Sequence, residues 1–174
     1  MISVWEPKRR APLHFVALAE NAKYCARLLS QAPHSTATYQ GFVREASLSL
    51  ELIAKAVIAQ RLEVDEYLGA ITKVPANHNV PQLWASAKLP TPSPDDYGRL
   101  VRARVYLVWA GRYPAPNRDD DGERDIADLW EHAHELVPNS TLFRKPNSFD
   151  WEDVDRIYSV AHDCFWQLRH AHGL

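Results

Sequence analysis

The stretch ATYQGFVREASLSLELIAKAVIAQRL, residues 37–62, decides the fold. Tyr39, Val43, Ala46, Leu50, Ile53 and Val57 recur at alternating short spacings that line them along one side of a helix turning about 100 degrees per residue. Leu48, Leu52 and Ala56 supply a second apolar side. A helix that is apolar around most of its circumference is covered by neighbours on several sides, which makes this one the centre of a helical bundle. Arg44, Glu51 and Lys55 interrupt it, falling within about 40 degrees of one another as a narrow polar stripe. Glu51 precedes Lys55 by one turn, the order that favours a helical ion pair. In so apolar a setting the two residues, with Arg44, form either a fully paired buried network or a ligand site.

The pattern stays helical on both sides of this segment. Upstream, a helix over Leu13–Ser30 places Phe15, Leu18, Ala22, Cys25 and Leu29 on one stripe. Pro33 closes it, and Ser35 or Thr36 can cap the central helix. Downstream, His78 and Asn79 precede a short helix over Val80–Ala87, which His78 is expected to cap or orient. Ser93-Pro94-Asp95-Asp96 then gives an N-cap, a proline at the first helical position and an acidic first turn. That helix is expected to run to Trp109, where Gly111 suits a left-handed cap and Pro114 forbids continuation. An acidic loop over Asn117–Glu123 leads into an amphipathic helix over Arg124–Val137. The final helix, Asp150–Arg169, carries Trp151, Val154, Tyr158, Ala161, Phe165 and Leu168 as a regular seam. The expected fold is therefore all-α: an up-and-down helical bundle of about five core helices in a single domain over 1–174, with 115–147 as an insertion carrying an extra helix before the last.

Composition narrows the function less than the fold. The chain has 174 residues and a formal charge of -2, so attraction to nucleic acid must come from local clustering of its arginines rather than from net charge. Cys25 and Cys164 lie on apolar helical stripes and read as buried thiols of a reducing compartment. Met1–Arg10 lacks the apolar run of a signal peptide, and no stretch is apolar for long enough to span a bilayer, so a cytoplasmic location is expected. The six glycines are dispersed, which excludes a glycine-rich phosphate loop. No nucleophilic triad can be nominated, and no cofactor is implied.

Several motifs now stand in a fixed order. Ser49-Leu50-Glu51-Leu52 and Lys55-Ala56 lie in the long helix, followed by His78-Asn79-Val80-Pro81-Gln82-Leu83, the Arg112-Tyr113-Pro114 stop and a last helix with an aromatic seam. This order resembles the HEPN superfamily, the helical domains of higher eukaryotes and prokaryotes linked to nucleotide and RNA handling, over roughly Leu13 to Leu168. The resemblance implies a bundle that commonly forms homodimers. It also implies a place among RNA-cleaving toxins, their inactive relatives and partners of small nucleotidyltransferases, in a toxin–antitoxin, stress or phage-defence setting. The connection from Pro114 to the last helix is longer than the resemblance leads one to expect.

Members that cut RNA share an arginine and a later histidine with four to six residues between them, a pair that can polarise phosphate oxygens and move protons at the ribose 2′-hydroxyl. Arg9–His14, Arg27–His34 and Arg156–His162 meet that spacing, and only Arg156–His162 lies in the late position. A regular helix turns those two side chains about 120 degrees apart, and Ile157 stands where many active members have a polar residue. The expectation is thus a protein that binds RNA, a nucleotide or a partner protein. A metal-independent endoribonuclease using Arg156 and His162 and a purely structural interaction module are the alternatives.

The remaining candidates are local. Arg99 and Arg102, one turn apart with Arg112 just beyond, form a candidate phosphate-tracking patch, and Tyr113 is placed to stack on a base. Alternatively, Arg112 bonds the last carbonyls of its own helix and Tyr113 packs inward. Asn117, Asp119, Asp121, Gly122 and Asp128 match most oxygen-ligand positions of a calcium-binding loop, but Arg124 intrudes and the closing glutamate is an aspartate. A solvated acidic loop is expected there, and no metal site is assigned.

Overall fold

The structure is a computed structural model that describes residues 11–66, 68–111, 119–135, 144–145 and 147–174. Helix α1 spans Pro12–Gln31 and α2 spans Thr36–Glu63. Ser35 caps α2 reciprocally: its Oγ accepts from Thr38 N at 3.1 Å, and Thr38 Oγ1 accepts from Ser35 N at 2.9 Å. Helix α3, Val80–Ser86, is capped by the Asn79 side chain, which accepts from Gln82 N. Helix α4, Pro94–Val105, starts on the Ser93 cap and passes directly into a π-helical turn, Tyr106–Ala110. Helix α5, Asp119–Glu131, is followed by a two-residue antiparallel ladder of β1, His134–Glu135, with β2, Arg144–Lys145. Helix α6, Trp151–Ala171, is capped by Asp150. The fold is all-α, a bundle-like packing of helices with, among the described residues, that one small ladder beside it.

Helix α2 lies at the centre, as its periodicity requires. Val43, Ala46, Leu50, Ile53 and Val57 are completely buried. Helices α1, α3, α4, the π-helical turn and α6 all pack against it, whereas α5 packs chiefly on α4. The seam of α6 is also as read: Val154, Tyr158, Ala161 and Phe165 are buried, and Trp151 and Leu168 are half-buried at its margins.

The buried face of α1 differs from the expected stripe. Ala22 is buried and Phe15 and Leu29 are half-buried against the core, as expected, but Val16, Ala19 and Ala26 complete the buried face, while Leu18 and Cys25 are exposed. A row of alanines lets two helix backbones approach closely, so α1 seats its small face on α2 and leaves larger side chains outside. Cys25 is therefore not a buried thiol. Cys164 is half-buried, with its Sγ accepting from Arg61 Nη2 at 3.7 Å.

Two further expectations are corrected. Gly111 has φ −85° and ψ −3°, not a left-handed conformation. Its N–H reaches back to Tyr106 O at 3.0 Å, closing the π-helical turn, and a Cβ there would sit 2.6 Å from that oxygen. Glycine is needed for close approach rather than for its freedom in φ. Secondly, the expected acidic loop is helical from Asp119, so Asp119 and Asp128 belong to one helix and cannot wrap a calcium ion as loop ligands. Among the described residues no cluster of three or more His, Cys, Asp or Glu could hold a metal ion. Helix α5 also ends at Glu131 rather than Val137, and the His132 carbonyl accepts from Asn147 Nδ2 at 2.8 Å. Among the described residues no helix is long and apolar enough to cross a membrane.

Candidate functional site

Arg99, Arg102 and Arg156 are drawn into one internal network where α4 meets the start of α6. The Arg99 guanidinium is buried and fully engaged: Nε donates to Ser148 O at 2.9 Å, Nη1 to Asp96 at 3.0 Å, and Nη2 to Ser148 Oγ at 3.1 Å, with Asp153 at 2.9 Å. Arg102 donates to Asn147 O at 3.1 Å and to Tyr39 OH at 2.7 Å, and it lies between the Tyr106 and Phe149 rings. Arg156 grips both oxygens of Asp96 and reaches Asp153 at 3.1 Å. The Arg156 hydrogen bond, helped by its charge, holds the Asp96 carboxyl below its ordinary range, while the Asp96 bond raises the guanidinium. These arginines do not form an open phosphate-tracking patch. Arg112 and Tyr113 lie outside the described residues.

Glu51 and Lys55 form the buried pair that their order favours, with Lys55 Nζ donating to Oε1 at 2.5 Å. The third member is not Arg44, which turns outward to Glu45 at 3.0 Å. It is His78, whose Nδ1 lies 2.8 Å from Glu51 Oε2. Both carboxylate oxygens are thus occupied, and the segment between α2 and α3 is tied to the central helix. His78 performs this tie while Asn79 does the capping.

The other half of the proposed catalytic pair, His162, faces a different neighbourhood from Arg156. Glu20, Lys23, Tyr24 and Arg27 recur on one face of α1 and oppose Trp151, Asp155, Tyr158 and His162 on α6, enclosing a cleft of about 290 Å³. Lys23 Nζ bonds Asp155 at 2.6 Å and sits 4.3 Å above the Tyr158 ring centroid. The Arg27 guanidinium lies 5.8 Å from the Trp151 ring. His162 Nε2 accepts the Trp166 indole N–H at 2.9 Å, which leaves the ring proton on Nδ1. Its ring stacks along Tyr158 at 5.8 Å, and Glu20 stands 3.8 Å away.

The Tyr158 hydroxyl is the unusual atom of this cleft. The residue is 2% exposed, and its hydroxyl alone among the described buried side-chain polar atoms has no hydrogen-bond partner. Burial pushes the phenol up, and the Glu20 carboxylate adds to the shift, so it remains a neutral donor. A buried hydroxyl without a partner costs about 1–3 kcal/mol. Sequence reasoning missed Lys23, Tyr24, Arg27 and Tyr158 as a set. Their helical spacing was visible, but the stripe assigned to α1 pointed Cys25 inward and so hid the face that meets α6. No family model, curated protein or solved structure matches the chain.

Proposed function

We propose that this protein is a HEPN-like helical module that binds single-stranded RNA, one nucleotide unit at a time, in the α1–α6 cleft without cutting it. The observation that carries the reading is a cleft between α1 and α6 that sets Arg27, for phosphate, beside the exposed Tyr24 ring, for a base. Positive groups tracking a backbone beside aromatic faces are the physical requirement for holding single strands. The cleft volume suits one planar ring with its attached sugar rather than a larger ligand. The non-cleaving reading is supported by Arg156, which is committed to Asp96 and Asp153, and by His162, whose Nε2 already accepts from Trp166. A cytoplasmic homodimer that works with a nucleotidyltransferase or another defence protein completes the proposal.

Fluorescence anisotropy with a labelled single-stranded RNA, titrated at several salt concentrations, tests it. Arg27→Glu should weaken binding about tenfold and lower the slope of log affinity against log salt by about 0.7. Tyr24→Ala should weaken binding by about threefold to tenfold by removing a ring on which a base can stack, with little effect on stability because Tyr24 is exposed. Unchanged affinity in both variants would overturn the site. RNA cleavage in EDTA, abolished by His162→Ala, would overturn the non-cleaving reading.

A further inference from the structure

We propose that a second cleft, between α3, α4 and α5, binds a small organic cation with an apolar body, placing the body against Trp84 and Leu100 and the charge beside Glu131. This inference is independent of the α1–α6 cleft and involves none of its residues.

The cleft has two connected compartments that share Pro81, Ala85, Tyr97 and His132 as a common border. The first, about 440 Å³, is apolar. Its floor is made by Trp84, Leu89 and Leu100, all buried. Trp84 Nε1 donates to Pro90 O at 2.8 Å, so the indole's polar atom is spent and only carbon faces the cavity. Pro92 and Pro94 supply further wall without backbone donors. Such a surface rewards apolar area and offers nothing to a polar head group.

The second compartment, about 740 Å³, carries the opposite chemistry. Arg104 donates to both Asp125, at 2.7 Å, and Asp128, at 2.9 Å, so one cation already faces two carboxylates. Glu131 adds an exposed carboxylate that, among the described residues, forms no ion pair. Among the described residues of its wall the compartment therefore has an excess of negative charge, and Arg104 is neutralised. At the border the Tyr97 and His132 rings meet edge to face at 4.7 Å, and Tyr97 is half in solvent. An aromatic face next to carboxylates favours a cation over a neutral or anionic group. Each compartment by itself has the size of a small-molecule site.

Isothermal titration in neutral, low-salt buffer with 4-phenylbutylamine, 4-phenylbutanol and 4-phenylbutyrate separates the two contributions, since the three share a body and differ in head-group charge. The amine should bind at least about fivefold tighter than the alcohol, and the carboxylate should bind weakest. Ala85→Trp, at an exposed position on the shared border, should abolish binding of the amine and the alcohol alike. Glu131→Lys, also exposed, should reverse the order of amine and carboxylate without shifting Tm. Equal binding of all three compounds, binding of none, or an order that Glu131→Lys leaves intact would overturn the proposal. Binding of a capped Phe-Lys dipeptide in the absence of amine binding would overturn it in favour of a protein partner.

Discussion

Replacing Arg99 with methionine tests how the α4–α6 junction is held. Arg99 is 8% exposed, and every guanidinium nitrogen is engaged, on Asp96, Asp153 and both oxygens of Ser148. Deleting one partner of a buried ion pair costs about 3–5 kcal/mol when the other charge is left alone. Here Arg156 still bonds Asp96 and Asp153, so the penalty falls below that range. What remains is the loss of charge-assisted hydrogen bonds to the Ser148 oxygens and of one of two cations, about 2–3 kcal/mol. Arg156→Met removes a side chain that is 52% exposed and leaves Arg99 in place, so it should cost only about 0–1 kcal/mol. The double variant strips both arginines from Asp96 and Asp153 and should lose about 1–3 kcal/mol more than the sum of the single losses. Guanidinium chloride unfolding followed by tryptophan fluorescence supplies all three values. Equal single losses, or additivity within about 0.5 kcal/mol, would refute the reasoning that the two carboxylates share the two arginines.

Asp96 also makes stability depend on acid pH. The Asp96 carboxyl is depressed below its ordinary 3.8, so the stability it contributes is complete above that value and is lost as pH falls through the lower folded-state value. Denaturation midpoints should decline below about pH 4, with a shallower decline in Asp96→Asn; identical slopes would contradict the assignment. Gly98→Ala probes the other side of α4, where a Cβ would lie 2.4 Å from Asn147 Nδ2 and 2.7 Å from His132 O. Asn147 bridges His132 O and Asp95 O, so the intrusion should destabilise by about 1–3 kcal/mol, read as a lower Tm. An unchanged Tm would mean that the 147–149 segment yields freely.

The central helix was legible because its large side chains recur on the period that geometry demands and leave no second interpretation. Helix α1 was harder for a physical reason: alanine contributes little to an apolar pattern, yet a row of alanines is what allows the closest helix contact. The pattern joins Ala22 to Leu18 and Cys25, whereas the contact joins it to Ala19 and Ala26. The arginines failed in another way. Helical spacing correctly placed Arg99 and Arg102 near each other, but their use depended on Asn147 and Ser148, nearly fifty residues downstream. Local sequence gives no means of counting how many acceptors will arrive from elsewhere. Conversely, Tyr158 was readable as part of the seam, while its lack of an acceptor emerges only after every neighbour is in position. Periodicity thus locates side chains, and function depends on which polar groups remain unsatisfied after packing. Among the described buried side chains the one such group is the Tyr158 hydroxyl, whereas Arg99 and Arg102, which helical spacing brings forward, are engaged.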